Sequence, residues 1–364
     1  MNSSTRKLLL VAALAVISSV SLLQHMASAG KTPPPPTLPP MPIDYLVTWL
    51  NAPPGGSNSQ ATSSNTAGTV AGYYADVNGK SRACIWTAAG VSDLTDNSPV
   101  PNGWTLITAR AINESGQIVG TAQNQATGQK RMYRYDPPTG TTAPQITLMG
   151  DPTSSVSYSI AYMRPLNNLG DVAYSATLAD GKHYAYVQTM DNTLFQLQGY
   201  GFNSINDWRQ LVGGNIRWNA ASGRVETFSS SITAADINAS GTFVGRMYPN
   251  GKSAYKAMRY KTSAQVIGPA SSFAFGINSS NDVVGPVLDT GVGFIFTDTY
   301  GYVDLDTLVI AANANDLATW ASATSIQPLK ITDQALNGFG KICGTAFLSG
   351  NVNLAFVLTP IPAP

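Results

Sequence analysis

Behind a recurring turn, this chain sets two apolar residues side by side, and it does so seven times. The pairs are Val70-Ala71, Ile118-Val119, Val172-Ala173, Leu211-Val212, Phe243-Val244, Val283-Val284 and Ile342-Cys343. A strand that is apolar at adjacent positions presents apolar groups to both of its faces, so these strands are expected to be buried on two sides. The turn before each pair begins at Asn65, Asn113, Asn167, Asn206, Asn238, Asn278 and Asn337, as in "AINESGQIVG" at 111–120. Three residues on stand Gly68, Gly116, Gly170, Gly241 and Gly340, with Asn281 in the sixth copy and Arg209 in the fourth. Asn bonds the backbone just ahead of it, and Gly or Asn tolerates the left-handed conformation, so N-x-x-G reads as a hairpin corner. Seven residues after the Asn a second Gly recurs at 72, 120, 213, 245, 285 and 344; Tyr174 is the exception.

Each copy continues into a third strand, such as "RACIW" at 82–86 or "GFIF" at 293–296, and six continue into a fourth, from "GVSDL" to "YVDLDTL". The seventh copy ends after its third strand, whereas an unpaired strand "DYLVTWL" at 44–50 precedes the first. Units of four strands with two buried faces, the last completed by the N-terminal strand, predict an all-β fold: a seven-bladed β-propeller. A right-handed β-solenoid is the rival, but it would not need the N-terminal strand. The fourth copy, "INDWRQLVGGNIRWN", has almost no second hairpin loop, which leaves six blades plus an irregular element open. A helix is expected within "ANANDLATWASA" at 312–323.

Composition agrees with turns and strands: charged residues are 11% of the chain, with 33 Gly and 23 Pro among 364 residues. Arg6 and Lys7, an apolar run from Leu8 to Leu23 and Ala27-Ser28-Ala29 predict a signal peptide over 1–29, and that run is short for a membrane span. A proline-rich linker follows at 30–43, then a single propeller domain at 44–359 and a proline-rich tail at 360–364. Export to a secreted, periplasmic or cell-surface location follows from the signal. Without Arg6 and Lys7 the chain has 19 basic and 20 acidic residues, so no nucleic-acid partner and no membrane insertion are expected. The mature chain is expected to be a monomer.

The stretches "GWTLITARAINESGQIVG" at 103–120 and "AADINASGTFVG" at 234–245 resemble the bacterial HAF-type extracellular repeat family. Its namesake His-Ala-Phe positions are degenerate here, with "HYAY" at 183–186, "LAF" at 354–356 and "KAM" at 256–258. The resemblance spans essentially 44–359 and implies an exported repeat protein of unassigned activity. Some relatives carry a C-terminal sorting helix with a Pro-Glu-Pro motif; "TPIPAP" does not match it, so the resemblance carries no surface anchoring.

The residue inventory restricts chemistry. His183 is the one histidine beyond the signal, which limits triads and zinc sites. Glu114 and Glu226 are the only glutamates, and no calcium loop with a closing Glu is present. No cofactor is expected, with calcium at a turn the one exception left open. Cys84 and Cys343 fall in the first and seventh units, neighbours in a closed ring, and a disulfide between them is possible in an oxidising compartment. Ligand contacts are expected at the channel mouth, from Arg110, Arg164 and Gln334 three residues before an Asn, with Asp236 nearby. Trp104, Trp208 and Trp320 are candidate platforms for sugar rings. Three functions remain: a non-catalytic module binding an extracellular polysaccharide or protein surface, a carbohydrate-active lyase or hydrolase, and a structural matrix component.

Overall fold

The computed structural model describes residues 41, 43–149, 155–160, 164–178, 180–249, 254–336 and 339–362. The expected signal peptide, nearly all of the expected linker and Asn337 lie outside the described residues. Seven sheets follow one another around a ring as a seven-bladed β-propeller, with antiparallel pairing throughout the first six. Blades 1 to 6 begin at Ser57, Trp104, Ser155, Ser204, Ile232 and Gly276, and each has four strands in sequence order. The first strand of each blade is innermost and ends at the Asn corner. Blade 4, the weak copy, is complete: its second hairpin closes between Gly213 and Ile216, with Gly214 at φ +53°.

Blade 7 differs from the expected four strands. Its first three are Ser325–Leu336, Phe339–Leu348 and Val352–Pro362, and the fourth is the N-terminal strand Ile43–Leu50. That pairing runs from Ile43↔Pro362 to Leu50↔Ala355, so Pro360–Pro362 belongs to the sheet and not to a tail. A fifth strand, Val309–Ala311, then pairs parallel to the N-terminal strand, and the chain that returns from blade 6 to the ring centre covers an edge that would otherwise stay open. The expected helix forms at Ala314–Ser322, with Asn313 as its N-cap.

The paired apolar residues do what their pattern dictates. Val70 packs into the cluster between blades 7 and 1, whereas its neighbour Ala71 packs between blades 1 and 2. The division repeats around the ring: Ile118 and Val119, Leu211 and Val212, and Val283 and Val284 each serve two successive interfaces. Seven apolar clusters, one per interface, are therefore fed by one dipeptide motif.

The two glycines of the motif have different causes. Gly68, Gly116, Gly170 and Gly241 sit at φ +77° to +87°, the left-handed corner. The later glycine has no positive φ; its need is space. The inner strand bulges at Thr62, Arg110 and Ala235, and a Cβ on Gly72, Gly120 or Gly245 would lie 1.8–2.0 Å from the carbonyl oxygen just before that bulge. In blade 3 Tyr174 replaces this glycine and stacks on Tyr186, the ring centroids 5.1 Å apart.

Cys84 and Cys343 are neighbours as expected, in the cluster between blades 7 and 1, but both are free and buried. The possible disulfide is not formed. Burial raises both thiols, Cys343 up to about 12, as befits apolar packing groups. Strand pairing closes the ring in place of a covalent latch.

Candidate functional site

The Asn corners meet at one end of the channel and form a belt there. Each Asn Oδ1 accepts the backbone N–H four residues on, from Thr69, Gln117, Asp171, Gln210, Thr242 and Asp282. Each Nδ2 then donates to the backbone carbonyl at the corner of the next blade, through Asn65 to Asn113, Asn167, Asn206, Asn238 and Asn278, at 2.9–3.3 Å. The amide thus satisfies the turn and ties one blade to the next. All six are at most 3% exposed, so each ungrouped amide would carry a desolvation cost of about 1–3 kcal/mol.

The belt corrects the seventh corner. Asn278 donates to the carbonyl of Thr332, not to Asn337, and Thr332 Oγ1 accepts from Lys341 N–H. Five extra residues project the blade 7 hairpin past the belt, so the ring equivalent of Arg110 is Leu329. Gln334 lies beyond the belt on that projection, and its side chain is outside the described residues. This shift also brings Lys330 level with Asp236 in blade 5 and Ser204 in blade 4.

A second ring of contacts lies outside the first. The backbone N–H after four of the corner Asn residues is accepted by the side chain at the same position of the following blade: Thr66 by Glu114, Glu114 by Asn168, Asn168 by Asp207 and Ser279 by Asp333. Glu114 is therefore a rim bridge, and it also accepts from Thr66 Oγ1. Together these groups surround a channel-mouth cavity of about 80 Å³, whose walls include Glu114, Arg164, Asn168, Asp207, Lys330 and Asp333.

The site residues expected from sequence do not converge. Arg164 reaches the mouth and spans from blade 3 to blade 5, its Nη1 3.3 Å from the Ile237 carbonyl. Asp236 is buried and structural: it accepts from Ser204 Oγ at 2.5 Å, Ile237 N–H at 2.9 Å and Ile277 N–H at 3.1 Å, joining blades 4, 5 and 6. Arg110 serves a separate cavity of about 130 Å³ farther along the inner strands, with Thr62, Tyr73 and Gln327. Its guanidinium lies 5.8 Å from the Tyr73 ring centroid.

The tryptophans separate in the same way. Trp208 is 70% exposed at the blade 4 corner, where its backbone N–H donates to Asn206 Oδ1. Trp104 starts the blade 2 inner strand at the opposite end of the channel and packs on the cluster between blades 1 and 2. Trp320 is corrected outright: it is buried in the blade 7 core edge-on to Phe356, and its Nε1 donates to Asp306. Sequence reading missed Lys330, because aligning blade 7 on Asn337 hides the equivalence with Asp236.

The opposite face carries a larger polar groove of about 510 Å³ between blades 1 and 2, edged by Asp76, Lys80, Gln123 and Lys130. Arg82 there is committed to Asp93 and Asp96. His183 is exposed, also at that end, with Nδ1 3.3 Å from Thr177 Oγ1. Glu226 pairs with Arg217 at 2.6 Å. Among the described residues no group of three or more His, Cys, Asp and Glu is placed to hold a metal, and no helix is long and apolar enough to cross a membrane.

No protein-family model matches the sequence, and no curated protein matches it. Solved propellers do. The β-propeller domain of the Trilobed protease from Pyrococcus furiosus, described as having an open velcro topology, aligns with a TM-score of 0.51 at 11% identity, over 84% of this chain and 98% of that one. AofleA from Arthrobotrys oligospora aligns at 0.38 and 8%, over 88% of this chain and 87% of its own. A Trypanosoma rangeli sialidase aligns at 0.39 and 9%, over 84% of this chain and 54% of its own. At these identities the likeness is one of fold.

Proposed function

We propose that this protein is an exported, non-catalytic recognition module that binds an extracellular or envelope polysaccharide on its Asn-corner face. The observation that carries the reading is Trp208, a large aromatic left 70% exposed beside a rim of amide and carboxylate groups. A flat apolar ring next to hydrogen-bonding groups suits a sugar, which offers C–H faces and hydroxyl edges. The mouth cavity is too small to admit a polymer, so the chain of sugars lies across the rim. The resemblance to HAF-type repeats and the signal-like N-terminus support export.

The test is a polysaccharide panel and pull-down with residues 30–364, run with calcium and with a chelator. Selective retention, unchanged by the chelator, is the expected result. A shortened glycan in the eluate would replace this reading by a lyase or hydrolase, and retention of nothing would remove the sugar and leave a protein surface or a matrix role.

A further inference from the structure

Lys330 stands in the inner strand of blade 7, only 8% exposed, and its Nζ has no hydrogen-bond partner among the described residues. It lines the channel-mouth cavity. A buried ammonium without a counter-group costs several kcal/mol, and chains do not keep one by default. The blade-equivalent residues show how plain the alternative would be: Ser204, Asp236 and Gly276 fill the same ring position, and the first two are fully bonded to each other and to backbone.

Arg164 brings a second cation to the same cavity. Its one hydrogen bond within the described residues goes to the Ile237 carbonyl, and no carboxylate pairs with it. Asp236, the carboxylate at the Lys330 level, is already satisfied by Ser204 Oγ, Ile237 N–H and Ile277 N–H, and makes no ion pair with Lys330. The remaining carboxylates, Glu114, Asp207 and Asp333, sit at the rim, where each is fixed by a backbone N–H of the preceding blade. Glu114 and Asp333 are exposed, so solvent and salt screen their repulsion, whereas Lys330 is buried and screened less. Lys330 therefore lies deeper than Glu114 and Asp333.

We propose that the throat is a binding subsite for a small oxyanion, a carboxylate or a phosphate, held between the Lys330 ammonium and the Arg164 guanidinium. A cavity of about 80 Å³ fits one such group and not a sugar ring. The subsite is distinct from the rim contacts assigned to Trp208, and it stands whether or not the rim binds a polysaccharide. A guanidinium offers a planar fork for two oxygens and the ammonium a point charge, which together suit either anion.

The test is calorimetric titration of residues 30–364 with sodium acetate, glycine and inorganic phosphate at constant ionic strength. Saturable binding of at least one is expected; preference for acetate or glycine assigns a carboxylate ligand, and preference for phosphate a phosphate ligand. Lys330→Met is expected to lower that affinity at least 30-fold while melting at or above the wild-type temperature, because it removes an unpaired buried charge. Arg164→Gln, on another blade, is expected to lower it 3- to 10-fold, which keeps the proposal testable if the first variant misfolds. Binding of none of the three anions by the wild type, or unchanged binding by both variants, would overturn the subsite. Neither result bears on glycan retention through Trp208.

Discussion

Gly120→Ala is expected to destabilise the protein by about 3 kcal/mol or more, whereas Gly79→Ala costs about 1 kcal/mol. The contrast isolates two reasons for a glycine. At Gly79 φ is +72° and nothing lies within 4 Å of a new Cβ, so the cost is conformational alone. At Gly120 the backbone is ordinary, but a Cβ would sit 1.8 Å from the Thr108 carbonyl oxygen and 2.7 Å from the Tyr133 ring. Carbonyl and ring are both held in place, the first by the bulge at Arg110 and the second by full burial, so the first two strands of blade 2 must separate. Urea midpoints for the two variants check this directly; equal losses would mean that the repeat's second glycine answers to chain conformation and not to close packing.

Deleting Ile43–Leu50 has a larger effect still. That strand buries Ile43, Tyr45, Val47 and Leu50 and forms the outer pairing of the third strand of blade 7. Four such side chains contribute roughly 6–10 kcal/mol, which is of the order of a whole domain's net stability. The shortened chain is expected to lose its cooperative melt and to bind a hydrophobic dye. A cooperative melt close to that of the intact protein would contradict ring closure by this strand.

How far the sequence could carry these conclusions depends on what each residue answers to. The propeller, its closure and the helix were legible because they rest on local signals: paired apolar residues, N-x-x-G corners, and an orphan N-terminal strand matched by a seventh copy one strand short. Turn chemistry also predicted the left-handed glycines, but not that Asn Nδ2 reaches the next blade, since that contact is made across 32 to 54 residues of chain. The site was less legible. Arg110 and Arg164 share a position relative to their Asn, yet they line different cavities. Trp208 and Trp320 look alike in sequence, yet one is exposed and the other is enclosed by Trp49 and Phe356, because neighbours distant in the chain decide burial. Lys330 was hidden by a five-residue hairpin extension that breaks the repeat's own register.

The functional account places recognition on the Asn-corner face, although the groove at Asp76, Lys80 and Lys130 on the other face is larger. The direct test compares Trp208→Ala with the double variant Lys80→Ala, Lys130→Ala, using the polysaccharide retained by the wild type. All three changed side chains lie at the surface, so both proteins should fold. Loss of the exposed Trp is expected to weaken binding at least 10-fold, as for an aromatic anchor, with the double variant unchanged. Undiminished binding by Trp208→Ala, with loss in the double variant, would move the binding face to the opposite end of the channel.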